Sequence, residues 1–424
     1  MKRIRFDGRA KLVLSLILNL ASRAPGALSL VVLLPMIQKG LGNADYATLL
    51  ALMSLGALLS LPQGGANTIV RRRIGRAHAT GDERAEANAL ADALVTKGLF
   101  AFGACAIAVA YIFYRGMPTE LVILPAVGVV SALAATFDNA RAAYNEHYWT
   151  ATLQIIFQTL AVGVALLVPA TRTNIVLASL CLQLHMPLAS LATGFQMIRA
   201  RPYLLRGRSE EIATTIKDGL LLSISDGLLL AVLNSSVVLM EATARAEFAA
   251  WYGTLVRFFQ TLLAPVLLVV LPVASFVALK WANWETRRRQ FMMRAIRLGA
   301  LGYGLLAALA LYVLDVAFIR PTMSFEFRIE PVYAIPLYVQ FGAIIGYRAF
   351  SSIYFVIYRG PRLAWRVSIA ALVAIGFGAL VQMFATPLAA LASVAICLTL
   401  TLALANMISI EKLMHDPTAS PAAG

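Results

Sequence analysis

Three arginines stand where arginine is costly. Arg23, Arg257 and Arg348 each lie inside a run of apolar residues long enough to be a helix in hydrocarbon. A guanidinium facing hydrocarbon costs about 3 kcal/mol or more, so each needs a partner, a polar cavity or a ligand. Its planar fork stays charged when desolvated and binds the oxygens of a phosphate two at a time. Arg23 follows Ser22, lies one helical turn from Asn19, and precedes Pro25 and Gly26. Proline removes a helix hydrogen bond and glycine loosens the backbone, so the helix is expected to bend there. Arg257 has Gln260 one turn on; Arg348 follows Tyr347 and lies near Gln340. Lys97 sits about one turn into another apolar run, from where its stem could also reach the membrane surface.

Acidic counterparts are few. Asp226 lies in the middle of a run, with Ser223 on the same helical face and Asn234 about two turns on. Two roles are open to it: a proton or sodium site, or a salt-bridge partner for Arg23 or Arg257. The cost of an unpaired buried charge favours the partner. Asp138 and Asn139 close another run, and Asp315 lies near the end of a third. His185, close to Pro187, reads as a hydrogen-bonded packing residue or a relay. The deep runs carry Arg23, Arg257 and Arg348 against Asp226. That positive balance suits an anionic substrate bound by Arg23, Arg257, Arg348, Lys97, Ser22 and Asn19. Asp226, Asn234 and His185 are left as coupling or salt-bridge candidates.

The elements that must position these residues are transmembrane helices. Hydrophobic residues make up 60% of the 424 and charged residues 13%, about half the charged share of a soluble domain. Lipid leaves backbone groups no outside partner, so a span of about 20 apolar residues must be helical. Twelve such spans are expected, at 12–37, 46–69, 93–114, 121–141, 150–170, 174–198, 218–240, 248–275, 295–318, 334–357, 363–383 and 387–410. The N-terminal run is too long for a secretory signal, contains Arg23 and Pro25, and reads as the first span. No gap between spans is large enough for a soluble domain.

The formal net charge of +15 is distributed by topology. Lys2, Arg3, Arg5, Arg9 and Lys11 precede span 1, and Arg71, Arg72, Arg73, Arg76 and Arg84 follow span 2. Arg199, Arg201, Arg206, Arg208 and Lys217 follow span 6; Arg287, Arg288, Arg289, Arg294 and Arg297 follow span 8. The alternate loops are nearly free of lysine and arginine. This is the positive-inside pattern, so both termini are expected in the cytoplasm and no nucleic-acid role is needed. Membrane lipids are the expected neighbours, with anionic headgroups near the basic loops. Trp149, Trp251, Trp281, Trp284 and Trp365 fall at span ends, where an indole sits at headgroup level. Cys105, Cys181 and Cys397 fall inside spans and read as small apolar residues rather than disulfides or metal ligands.

The two halves repeat weakly. Tyr46-Ala47-Thr48-Leu49 opens span 2 and Tyr252-Gly253-Thr254-Leu255 opens span 8; Leu61-Pro62 and Leu271-Pro272 precede the basic loops that follow. The expected fold is therefore an all-α polytopic membrane protein. Its twelve transmembrane helices form two six-helix lobes, residues 1–205 and 206–424, related by a pseudo-two-fold along the membrane normal. Transporters so built hold substrate between halves and alternate access.

Particular residues resemble one family. Ala21-Ser22-Arg23, then Lys39-Gly40-Leu41-Gly42-Asn43-Ala44-Asp45-Tyr46, then Gly64-Gly65-Ala66-Asn67 before a basic loop resemble the opening of the polysaccharide flippases. These belong to the multidrug/oligosaccharidyl-lipid/polysaccharide exporter superfamily; Ala47 stands where the family's stretch usually has glycine. The resemblance implies a bacterial inner-membrane protein that moves a polyprenyl-diphosphate-linked oligosaccharide outward for O-antigen, exopolysaccharide or capsule synthesis. A proton or sodium gradient and a polysaccharide polymerase are the partners it allows. It also implies that Ser22 and Arg23 match a cavity Ser-Arg pair of the related lipid II flippases, and Arg257 a span-8 arginine. The acidic residue those flippases carry soon after the span-1 arginine has no equivalent here, which leaves the coupling ion open.

Other classes fit less. A major-facilitator transporter also has twelve spans, and Arg72-Arg73-Ile74-Gly75-Arg76 echoes its loop motif, without the motif's aspartate. A multidrug exporter of the same superfamily would carry carboxylates in span 1, which are absent. A membrane polymerase or glycosyltransferase needs carboxylates or histidines on a sizeable outer loop, and the largest, about 319–333, is short. No phosphate-binding glycine loop, metal cluster or nucleophile elbow occurs. No enzyme activity, cofactor or metal is expected.

Overall fold

The structure is a computed structural model, and it describes residues 17–18, 21–22, 24–144, 146–243, 245–281, 284–323, 325, 329–358, 369, 371–378, 380–381 and 386–415. Among these the chain is all α, and its fold is that of a polytopic membrane protein with twelve transmembrane helices in two lobes. It divides into two compact units, Met1–Gly227 and Leu228–Gly424, with the boundary inside one long helix.

The first unit opens with α1, Ala24–Leu28, which widens into a π-helical turn over Ser29–Leu33 and continues as α2, Leu34–Leu59. Pro25 and Gly26, where a bend was expected, lie in the α-helical first turn, and the widening comes after them, with Ser29 Oγ donating to the Pro25 carbonyl at 2.8 Å. The expected loop 38–45 is not a loop. Helix persists on both sides of one residue, Gly42, whose φ of 77° and ψ of 169° interrupt α2. Only glycine adopts that backbone without strain of order 1–3 kcal/mol. Two residues earlier, a Cβ at Gly40 would overlap the carbonyl oxygen of Arg172. The Leu41-Gly42 stretch and its companion Gly40 therefore mark a break in the helix and a close backbone approach.

The expected basic loop after span 2 is also helical. α3 spans Leu61–Thr80 and ends on Gly81 at φ 74°, a left-handed cap. α4, Glu83–Tyr114, starts ten residues before the expected span. Asp82 caps it by accepting from Ala85 N at 2.9 Å, and Glu83 and Glu86 favour its positive end. After a 3-10 turn at Thr119–Val122 come α5, Ile123–Ala143, and α6, His147–Leu167. The sixth span was expected to be continuous over 174–198. It is two helices, α7, Ile175–Gln183, and α8, His185–Ala200, bent by 43°. Pro187 lies in the first turn of α8, where its missing N–H would otherwise have bonded back into α7. A 3-10 turn, Pro202–Arg206, leads to α9, Ile212–Thr243.

The second unit holds the rest of α9, then α10, Ala246–Trp281, and α11, Thr286–Leu314, which runs into a π-helical turn at Asp315–Ile319. α12, Pro331–Tyr358, helical residues 371–378 and α13, Pro387–His415, complete it. α11 and α12 meet backbone to backbone: a Cβ at Gly346 would lie 2.9 Å from Ala300 O, and Gly304 faces Gly342. Small residues let membrane helices approach this closely, where dispersion replaces the hydrophobic effect. Phe341 of α12 packs between Tyr252 and Phe259 of α10, at centroid distances of 6.3 Å and 5.1 Å.

Large apolar side chains cover the outside. Phe102, Leu167, Phe195, Leu305 and Leu306 are all more than 60% exposed. Patches of this extent fit lipid. Five helical stretches among the described residues are long and apolar enough to cross a membrane, and the bent α7–α8 pair makes a sixth.

Candidate functional site

The second unit joins three of its polar residues across two helices. Arg257 Nη1 on α10 donates to Gln260 Oε1 at 3.2 Å, one turn along the same helix. Gln260 Nε2 reaches Asn234 Oδ1 on α9 at 3.5 Å, while Asn234 Nδ2 is tied to Leu230 O at 2.8 Å. Asn234 is buried and Arg257 partly so. The amide chain orients the guanidinium at membrane depth. Arg348 lies on α12, which packs on α10; it is 9% exposed, with Gln340 buried two turns earlier. The spacing of Arg257 and Gln260 was readable from the sequence, whereas the link to Asn234 was not.

The first unit holds Ser22 and Lys97. Ser22 is buried, and its N–H donates to Leu18 O at 2.8 Å. Lys97 does not snorkel: it is 1% exposed, and its Nζ donates to Ala132 O on α5 at 3.5 Å. His185 opens α8 at the bend, its ring hydrogen-bonded to the Cys181 backbone. Its Nδ1 is buried with no hydrogen-bond partner. Asn19 and Arg23 lie outside the described residues, as does the side chain of Asp226, which belongs to α9.

Two buried carboxylates on α4 had not been singled out. Glu86, 2% exposed, accepts from Tyr144 Oη at 2.7 Å and Tyr203 Oη at 2.8 Å, and meets His78 Nδ1 at 3.0 Å. Burial first, and then the bond to Glu86, pushes the Tyr203 phenol up to about 12 and raises Tyr144 further, so both stay protonated donors. Asp92, 3% exposed, accepts from Ser209 Oγ at 2.8 Å and from the N–H groups of Glu210 at 2.8 Å and Glu211 at 3.1 Å. It thereby satisfies donors at the approach to α9 that no helical carbonyl can reach. Arg73 of α3 closes the group, 3.4 Å from Asp92, 2.7 Å from Glu211 and 3.0 Å from Thr215 Oγ1. Nearby, Arg201 bonds Glu146 at 2.8 Å and lies 4.0 Å over the Tyr144 ring. The segment between α8 and α9 is thus strapped to α4. The only local signal was acid near a helix start; the partners in the strap, Tyr203, Ser209, Glu210 and Glu211, are over a hundred residues away.

A third buried acid anchors the second unit. Asp315, 0% exposed, accepts from Trp251 Nε1 at 2.7 Å, Arg320 Nε at 2.7 Å and Tyr338 Oη. It binds α10, α11 and α12 together and is fully committed to that task.

No family model matches the sequence, and no curated protein matches it. The fold does have solved counterparts. An inward-facing multidrug resistance MATE family transporter of the MOP superfamily superposes with a TM-score of 0.63 at 16% identity, over 95% of this chain and 100% of that one. A variant of the Vibrio cholerae MATE transporter VcmN gives 0.63 at 14% identity, over 96% and 99%. The eukaryotic MATE transporter AtDTX14 gives 0.65 at 11% identity, over 94% and 95%. The chain therefore has the fold of these MATE transporters along nearly its whole length.

Proposed function

We propose that this protein is a secondary transporter of the bacterial inner membrane that flips a polyprenyl-diphosphate-linked oligosaccharide outward by alternating access. Both termini lie in the cytoplasm in this reading, and a proton or sodium gradient drives the cycle. The supporting observation is the charge inside the second unit. Arg257 and Arg348 sit at membrane depth on two helices that pack together. Two guanidinium groups at this depth suit the oxygens of a diphosphate better than an organic cation. A polysaccharide polymerase is the partner that would consume the flipped product.

A multidrug exporter is the second reading, and the solved counterparts favour it: the first of them is a multidrug resistance transporter. It fits those neighbours at least as well as the flippase does. The two readings part on the sign of the cargo. Deleting the gene is expected to remove a surface polysaccharide and leave lipid-linked repeat units on the cytoplasmic leaflet, with drug tolerance unchanged. Normal polymer together with new sensitivity to cationic dyes would reverse the assignment.

A further inference from the structure

Inside the first unit, α4, α5 and α8 enclose more polar atoms than they satisfy. Lys97 is almost wholly buried, and its single hydrogen bond is the long one to Ala132 O. The hydroxyl oxygens of Thr96 on α4, Thr136 on α5 and Thr193 on α8 are buried with no hydrogen-bond partner. Asp138 of α5 accepts from Ser190 of α8 through one carboxyl oxygen, while its other oxygen is buried and unmatched. Buried polar atoms are normally paired, and each orphan costs about 1–3 kcal/mol. A lysine and a carboxylate among them is an arrangement that packing alone does not call for.

Asp138 is only half-buried, while Lys97 is closed off, so the carboxyl is the member of the pair nearer to water. The charges acting on it are Lys97 from α4 and Arg141 from its own helix. Arg141 is engaged with Glu146, Thr193 O and Gln196. α6 brings Thr150, and α8 brings Ser190. α7 carries no charged residue, and Glu120 of the 3-10 turn lies at the far end of α5. α3 meets α5 further along, with Gly75 against Ala143.

We propose that Asp138, within the field of the buried Lys97 charge and with one carboxyl oxygen unmatched, is the proton-exchange site by which this unit is coupled to a proton gradient. The proposal rests on the reading of the chain as a secondary transporter. A proton from water adds to the free carboxyl oxygen, forming an O–H bond and cancelling the carboxylate charge. That removes the negative charge acting on buried Lys97, which disfavours that arrangement of the helices around it. Loss of the same proton to water restores the pair.

Infrared difference spectra between alkaline and acidic pH test this on the full-length protein in phospholipid vesicles. The wild type is expected to show a protonated-carboxyl stretching band that Asp138→Asn removes. Asn keeps an oxygen for Ser190, so the fold is retained. Asp138→Glu is expected to keep a band displaced in frequency, which guards against simple misfolding. Lys97→Met should change the midpoint of the titration by about one pH unit or more. A band that survives in Asp138→Asn and disappears in Asp226→Asn overturns the assignment, as does an unmoved midpoint in Lys97→Met. The readout needs no cargo, so its failure leaves the transporter reading standing. Failure of the gene-deletion test would change the cargo assigned and leave this site intact.

Discussion

Arg257→Ala is expected to reduce export of the surface polymer by at least about tenfold, at normal protein level and membrane insertion. A charge-assisted contact to a buried phosphate is worth about 2–5 kcal/mol, or about thirtyfold and more, so tenfold is a conservative lower bound. The side chain is held by Gln260, which is in turn held by Asn234, so its direction is fixed before any cargo arrives. Arg257→Lys should recover only part, because lysine keeps the charge and loses the two-point fork. The assay is surface polysaccharide in a strain lacking the native copy, complemented with each variant. Wild-type polymer from Arg257→Ala would remove this residue from the substrate site.

Asp315→Ala is expected to produce the largest loss of stability. The carboxylate accepts from an indole, a guanidinium and a phenol contributed by α10, the turn after α11, and α12. Removing it strands three donors, one of them the Arg320 cation. Breaking a buried pair by removing one partner costs about 3–5 kcal/mol. Thermal unfolding of the purified protein in detergent should show a clear drop in midpoint. Asp315→Asn should fall between, since it keeps an acceptor and loses the charge. An Asp315→Ala midpoint equal to wild type would mean that the three donors find water or lipid headgroups without cost.

Hydropathy made the spans legible, because lipid admits little besides a helix. It did not show where helices stop beyond the lipid. α3 and α4 run through the basic loop because Asp82 caps one and Gly81 ends the other, both readable in hindsight from Gly81-Asp82. The break at Leu184 also had a local sign in Pro187. Gly40 and Gly42 were visible as a motif, but their reasons, an approach to Arg172 and a left-handed backbone, exist only in the fold. Arg257 with Gln260 was readable because three residues make one helical turn. Lys97 was not, since a lysine one turn into a span can snorkel or stay buried on the same sequence. Asp92 and Glu86 were least legible: each is an ordinary acid on a helix until a distant segment closes over it.

The most direct test of the cargo is reconstitution. The purified protein is placed in vesicles carrying a polyprenyl-diphosphate-linked glycan on the outer leaflet, and a membrane-impermeant oxidant reports how much glycan stays accessible. A flippase should make part of the glycan inaccessible, with Arg257→Ala slower by about tenfold or more. Vesicles in which the glycan stays fully accessible, while an imposed pH gradient drives ethidium across the membrane, would contradict the account and assign the protein to drug export.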